Sequence, residues 1–153
     1  MATLGACSAG GQSGPLSSRV RSWVQDTALG QAVGTLFGDS SKVTTAVRRR
    51  LGSGVVHTVC LVLFQDAASA AGNLPSPDPR LTALLEQAYD AMGRGAHDCY
   101  DAGAGDSPLQ RRSARERARA AALLDQALTR VRAVTGAPVP TTTTTAPGGG
   151  LFG

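Results

Sequence analysis

The sequence predicts an all-α protein: a bundle of four or five helices in which one helical hairpin is closed by a disulfide, with disordered termini. Apolar residues recur at spacings of three and four along most of residues 16–136, which is typical of helices with one buried face. Clusters of glycine, serine and proline separate these stretches. Two cysteines, Cys60 and Cys99, lie on either side of a proline-rich turn.

Length and composition indicate one domain. The chain has 153 residues, 42% of them hydrophobic, which is enough for one core and too little for two. We expect a flexible N-terminal segment at 1–15, a helical bundle at 16–136 and a disordered tail rich in threonine, proline and glycine at 137–153. The net charge is +4, but aromatic residues make up only 4%, so the charge alone does not indicate nucleic-acid binding.

The N-terminal segment contains Leu4-Gly5-Ala6-Cys7, which resembles a bacterial lipobox, the motif whose cysteine becomes the lipid-bearing N-terminus. No basic region and no apolar stretch of roughly 7 to 15 residues precedes it, so either the start is truncated or the match is due to chance. Three cysteines make one pair and one remaining thiol, and Cys7 is our candidate lipidation site.

Residues 15–51 are expected to be helical with one interruption. Ser17 or Ser18 is the expected N-cap, and Gly38-Asp39-Ser40-Ser41 is expected to break the helix. A short helix then runs from Lys42 to Leu51 and ends in three arginines, Arg48 to Arg50, where cations complement the helix dipole; contact with an anion or a phospholipid is the alternative.

The hairpin comprises residues 55–71, the turn at 74–79 and a helix that ends near Cys99. Residues 55–64 have the β-branched composition of a strand, but the alanine-rich stretch that follows favours a helix. This apolar run has about half the length of a membrane span, so no transmembrane helix is expected. Asp78 is the expected N-cap of the second helix, with Pro79 at its first position.

Cys60 and Cys99 have three possible states. We favour a disulfide, because the extended proline-rich turn can offset the unequal lengths of the two arms and because paired cysteines suit an oxidising compartment. Two buried free thiols are the alternative. A zinc site with His57 and His97 is a weaker one, because residues 97 and 99 point in nearly opposite directions on a helix.

The last helix is expected from about Pro108 to Val134, with Asp106 or Ser107 as its N-cap. Arg111, Arg115 and Arg119 share one face of it. One interpretation is that these arginines are a solvent-exposed face and reflect the codon bias of a high-GC genome. The other is that they contact phospholipid headgroups, wall polymer or nucleic acid. Its buried face is expected to be formed by Leu109, Ala114, Ala118, Ala121, Leu124, Leu128 and Val131.

Enzyme motifs are absent from the sequence. It contains no phosphate-binding glycine loop with lysine, no His-Glu-x-x-His and no Cys-x-x-Cys. We therefore predict no catalytic residues, no cofactor and no metal.

Several short runs resemble a known group of proteins. These are Cys60-Leu-Val-Leu-Phe-Gln-Asp-Ala, Leu74-Pro-Ser-Pro-Asp-Pro followed by Leu81-Thr-Ala-Leu-Leu, then Ala88-Tyr89 and Cys99-Tyr100-Asp-Ala-Gly. Together they resemble small uncharacterised helical proteins of actinobacteria, many of them named as lipoproteins or hypothetical proteins. The resemblance implies a secreted or membrane-tethered helical bundle and carries no activity.

The expected function is therefore that of a non-enzymatic cell-envelope protein, lipid-anchored at Cys7, that binds a protein partner or an anionic surface. The alternative is a cytoplasmic helical module that binds nucleic acid or an acidic protein through the arginine-rich last helix.

Overall fold

The computed structural model of the protein describes residues 14–142. Five helices account for most of this range and it contains no strand, so the predicted all-α class is confirmed. The helices are α1 (Leu16–Asp26), α2 (Leu29–Arg48), α3 (Ser53–Ala71), α4 (Pro79–Ala102) and α5 (Pro108–Thr135).

Helices α2 to α5 form an antiparallel bundle around one core, because short connections bring successive helices side by side. α3 packs between α2 and α4, α5 packs against α4 and closes on α2, and α1 covers α5 and α2. The largest fully buried side chains come from all five helices and include Val20, Leu36, Leu63, Leu85, Met92 and Leu124.

The first break in the chain differs from our expectation. The helix is interrupted at Thr27-Ala28, where Ala28 adopts a left-handed conformation with φ 48°, and Gly38-Asp39-Ser40-Ser41 lies inside α2. Asp39 is only 4% exposed, and its Oδ1 accepts a hydrogen bond from Lys42 Nζ at 2.7 Å. Tertiary packing of this run therefore outweighs its weak helix propensity.

Two of the three predicted caps lie where the sequence indicates, but the prediction of Ser17 or Ser18 is wrong, because both serines lie inside α1, whose N-cap position is Pro15. Asp78 caps α4, its Oδ1 accepting from the backbone N–H of Arg80 at 3.2 Å, and Pro79 follows it. Ser107 caps α5 through a 3.1 Å hydrogen bond from the backbone N–H of Gln110. Both side chains satisfy amide groups that a helix start leaves unpaired.

The disulfide between Cys60 and Cys99 joins α3 to α4, with a Cα–Cα distance of 5.8 Å. Both cysteines are fully buried. One turn away, His57 of α3 stacks on Tyr100 of α4 with ring centroids 4.6 Å apart. The predicted bridge is confirmed, so neither the free-thiol state nor the zinc site applies to these two sulfurs.

The buried face of α5 is rotated relative to the predicted one. Leu124 and Val131 are buried as expected, but Ala114 and Ala118 are exposed and Leu109, Ala121 and Leu128 are only half-buried. The buried positions of its first half are Gln110, Ser113, Arg117 and Ala120. The prediction followed the apolar residues, whereas in the bundle Arg117 finds oxygen partners on α2 and takes a core position.

Helix α3 is longer than the apolar run read from the sequence. Its 19 residues have a mean hydropathy of 1.4 over the best window, so it is long and apolar enough to cross a membrane by length and composition. One side of α3 nevertheless belongs to the core: its buried residues are Val56, Cys60, Leu63, Ala67 and Ala70. Its outer side carries exposed Val55, Leu61, Val62 and Phe64.

Residues 137–142, the first part of the predicted tail, lie along α2. Val139 packs against the core, and the carbonyl oxygens of Pro140 and Thr142 occupy space that a Cβ at Gly30 and Gly34 would need. These six residues thus depart from the expected free tail, because two glycines let the backbone approach the helix closely. Residues 1–13 with the candidate lipidation site Cys7, and residues 143–153, lie outside the described residues.

Candidate functional site

Three exposed arginines line the outward side of α5, and we call them the α5 stripe: Arg111, Arg115 and Arg119. They follow one another at helical spacing of four, as predicted. Arg111 Nη1 lies 2.9 Å from Asp106 Oδ1 in an ion pair in which both side chains are more than half exposed. Arg115 and Arg119 form no ion pair with any residue between 14 and 142. The stripe therefore presents two uncompensated charges and one weakly paired charge to solvent.

Two other arginines of α5 hold the bundle together. Arg112 Nε donates to Asp98 Oδ2 of α4 at 2.6 Å, and this hydrogen bond lowers the pKa of Asp98. Arg130 Nε donates to Asp78 Oδ2 at 2.6 Å, which likewise lowers the pKa of Asp78. Both carboxylates are nearly buried, so these contacts are structural pairs between α5 and the α4 region.

The turn between α2 and α3 adds three exposed arginines, Arg48, Arg49 and Arg50. Arg50 has a left-handed backbone with φ 51°, and the amide of Leu51 donates to Ala46 O at 3.0 Å, which closes the end of α2. Arg48 lines the same cavity as Gln110 and Ala114 near the start of α5. This end of the bundle therefore combines the cations of the α2–α3 turn with the first part of the α5 stripe.

Arg117 is the residue that sequence reasoning missed. It is 6% exposed, and its Nη1 donates to Ser40 O at 2.9 Å, Ser40 Oγ at 3.1 Å and Thr44 Oγ1 at 2.9 Å. All of these acceptors are neutral, and no carboxylate among residues 14–142 pairs with it. Burial accordingly lowers the pKa of Arg117.

Gly95 of α4 makes room for the side chain of Arg117. A Cβ at position 95 would lie 2.7 Å from Arg117 Cγ and 3.1 Å from Ser113 O. Ser113 Oγ also donates to Gly95 O at 2.6 Å, which holds α4 and α5 close together at this point. The absence of a side chain at Gly95 thus lets the arginine stem pass between the helices toward α2.

A cavity of about 310 Å³ separates the second half of α2 from the first half of α5. Each helix contributes both polar and apolar residues to its walls, including one arginine from each. The lining residues are Ser40, Thr44, Val47, Arg48, Gln110, Ala114, Arg117, Ala118 and Ala121. The alanines predicted as core therefore form a wall of this cavity.

An acidic pair lies between α2 and α3. The hydrogen bond between Asp66 and Asp39, together with burial and the negative charge of Asp39, raises the pKa of Asp66 to about 6. Lys42, 2.7 Å from Asp39, partly opposes this effect. No sequence pattern predicts this proton-binding pair, because residues 39 and 66 come together only in the bundle.

The two histidines are engaged separately. His57 stacks on Tyr100, and His97 Nδ1 lies 3.2 Å from Asp101 Oδ2. Within residues 14–142, no group of three or more histidine, cysteine, aspartate or glutamate residues is arranged to hold a metal ion.

Comparisons with known proteins found no matching family model, no matching curated protein and no matching solved structure.

Proposed function

We propose that this is a non-enzymatic protein of the cell envelope that binds an anionic surface through the α5 stripe, with membrane attachment through a lipid at Cys7. The observation that carries the proposal is the pair of exposed arginines, Arg115 and Arg119, which have no ion-pair partner among the described residues. Phospholipid headgroups are the envelope surface that we favour, because clustered arginines near such a surface are each attracted by about 1 kcal/mol.

The envelope location is supported by the Cys60–Cys99 disulfide. Such bridges persist in oxidising compartments and are rare in a reducing cytoplasm. A lipid anchor at Cys7 and a cationic face on the bundle would act together, since the anchor would hold the bundle at the membrane surface and the cationic face would contact the headgroups there.

Binding to vesicles tests the proposal. Full-length oxidised protein carrying Cys7→Ser, which cannot be lipidated, is sedimented with vesicles of phosphatidylglycerol mixed with phosphatidylcholine, and with vesicles of phosphatidylcholine alone. We expect binding to the mixed vesicles only. This binding should weaken steeply once the ionic strength exceeds about 0.1 M, where the Debye length falls below about 10 Å. The variant Arg111→Gln/Arg115→Gln/Arg119→Gln should reduce this binding at least about tenfold.

A matched control separates the stripe from net charge. Arg21, Arg80 and Arg132 are exposed and lie toward the other end of the bundle, so Arg21→Gln/Arg80→Gln/Arg132→Gln removes the same charge elsewhere. If both triple variants lose binding equally, the stripe is not the binding surface. Preferential binding to duplex DNA over the mixed vesicles would instead favour the cytoplasmic nucleic-acid module.

A further inference from the structure

We propose that the cavity between α2 and α5 is a binding site for a phosphate group, with Arg117 at its floor and Arg48 at its rim. The residues that line the cavity differ from those of the α5 stripe, so phosphate binding there does not depend on the surface binding proposed above. The group is carried either by a soluble phosphate ester or by a phospholipid headgroup.

The first argument is the unbalanced charge of the cavity. Two arginines line it, Arg48 and Arg117, and no acidic residue does. Burying a guanidinium against neutral acceptors alone is costly, because a lost hydration shell is not replaced by an opposite charge. An anion in the cavity supplies that missing charge: a phosphate monoester carries nearly two negative charges at neutral pH, and the phosphodiester of a phospholipid carries one.

The second argument is the set of donors at the floor. Arg117 Nη1 is held by Ser40 and Thr44, which fixes the guanidinium plane against α2. Arg117 Nη2 makes no hydrogen bond within residues 14–142 and is not fully enclosed there, so its two N–H groups remain accessible on a residue that lines the cavity. A fixed guanidinium with free N–H groups is well suited to phosphate oxygens.

The third argument is space. Ala114, Ala118 and Ala121 are part of the α5 wall, and their short side chains leave space between α5 and α2 beside Arg117. The resulting volume of about 310 Å³ is at the lower end of the range for small-ligand sites. Thr44 and Gln110 line the same space, but the Thr44 hydroxyl donates to Ser40 O at 3.1 Å and the Gln110 amide donates to Gly103 O at 2.7 Å, so the two arginines are the donors that this site offers.

Calorimetric titration of the full-length oxidised protein with inorganic phosphate, in a chloride buffer of low ionic strength, tests the site. We expect one saturable site in the wild type. Arg117→Met should weaken it at least about tenfold and Arg48→Gln about threefold to tenfold, because each removes charge-assisted hydrogen bonds. Arg132→Gln, an exposed arginine at the far end of α5, should change the affinity less than about twofold.

Because Arg48 is exposed, Arg48→Gln should remain folded. This variant therefore still tests the site if Arg117→Met does not fold. No saturable heat with the wild type, or equal affinities for Arg48→Gln and Arg132→Gln, would overturn the proposal. The triple variant of the α5 stripe should lose vesicle binding and keep phosphate binding, so the two proposals fail separately.

Two further titrations distinguish the source of the phosphate. Glycerol 3-phosphate that binds more tightly than inorganic phosphate, with vesicle binding unchanged in Arg117→Met, assigns the site to a soluble ester. Loss of vesicle binding in Arg117→Met, with competition between phosphate and phosphatidylglycerol vesicles, assigns it to a lipid headgroup.

Discussion

Helices α3 and α4 meet through apolar side chains and a disulfide, whereas α2 and α5 meet through a buried arginine and the hydroxyls of Ser40 and Thr44. The first interface leaves its sulfurs fully buried, and the second leaves a cavity beside its cation. Apolar packing and a covalent bond hold α3 and α4 close together. The long polar side chain of Arg117 keeps α2 and α5 partly apart. The two interfaces therefore differ in chemistry rather than in openness, since a cleft of about 540 Å³ lies beside α3 and α4 as well.

The α2–α5 side is also the less stabilising of the two. A disulfide stabilises the fold because it restricts the unfolded chain. A buried charge with neutral partners can at best regain, through its hydrogen bonds, the hydration free energy that it lost on burial. We therefore attribute most of the stability to the α3–α4 hairpin and its contacts with α5, and we expect substitutions on the two sides to differ in size.

Removal of the disulfide should have the largest effect. The bridge closes a loop with a sequence separation of 39, so Cys60→Ala/Cys99→Ala should lower the free energy of unfolding by about 4 kcal/mol. Urea denaturation of the wild type and the variant measures this change, and reduction of the wild type should reproduce it. A difference below about 1 kcal/mol would contradict the stabilising role given to the hairpin.

Gly95→Ala should have the second largest effect. The new methyl group would meet Arg117 Cγ at 2.7 Å and Ser113 O at 3.1 Å, so we expect a loss of about 2 kcal/mol in the free energy of unfolding. Gly93→Ala is the matched control on the same helix, because a Cβ there meets nothing within 4 Å. It should raise stability by up to about 1 kcal/mol through helix propensity. Equal effects of the two substitutions would show that the Arg117 side chain does not pack tightly against Gly95.

The acidic pair on the α2–α3 side predicts a pH dependence. The pKa of Asp66 is about 6 in the folded protein and near 3.8 when the chain is unfolded. The folded state therefore binds the proton more tightly, and this contribution to stability is lost as pH rises between these two values.

Asp66→Asn should consequently be more stable than the wild type at pH 7, by about 1 to 2 kcal/mol after allowance for solvent screening, and should show no such gain at pH 4. Thermal unfolding at the two pH values measures the gain. Asp125→Asn, at an exposed position of α5, should show none at either pH. A gain for Asp66→Asn that is the same at pH 4 and pH 7 would exclude the shared proton.

The smallest effect is expected where residues 137–142 lie on α2. Gly30→Ala/Gly34→Ala would drive methyl groups into the carbonyl oxygens of Pro140 and Thr142 and displace this segment. Gains in helix propensity offset the lost contacts, so global stability should change by less than about 1 kcal/mol. Limited proteolysis should nevertheless cleave within 137–142 faster than in the wild type. Gly54→Ala, where a Cβ meets nothing within 4 Å, should leave the cleavage rate unchanged.

Sequence reasoning predicted the parts of the fold that depend on local pattern. Asp78 before Pro79 and Ser107 before Pro108 give strong cap signals, and the apolar periodicity of α4 matches its buried face. The Cys60–Cys99 bridge followed from the position of two cysteines around one turn.

The features that were not predicted depend on residues far apart in the sequence. Arg117 is buried because Ser40 and Thr44 meet it from another helix, 77 and 73 positions away. The polar residues at 38–41 stay helical for a related reason, since Asp39 is enclosed by α3. One signal was present in the sequence: Ser40 and Thr44, four residues apart on one helix, form a polar pair able to receive a buried donor.

The state of the cysteines in protein isolated from its source organism tests the account most directly. The protein is alkylated before and after reduction, and its intact mass is measured. We predict that Cys60 and Cys99 react only after reduction and that Cys7 carries added acyl mass. A chain with three thiols that react without reductant and no added mass would contradict an envelope location and leave the cytoplasmic module as the better interpretation.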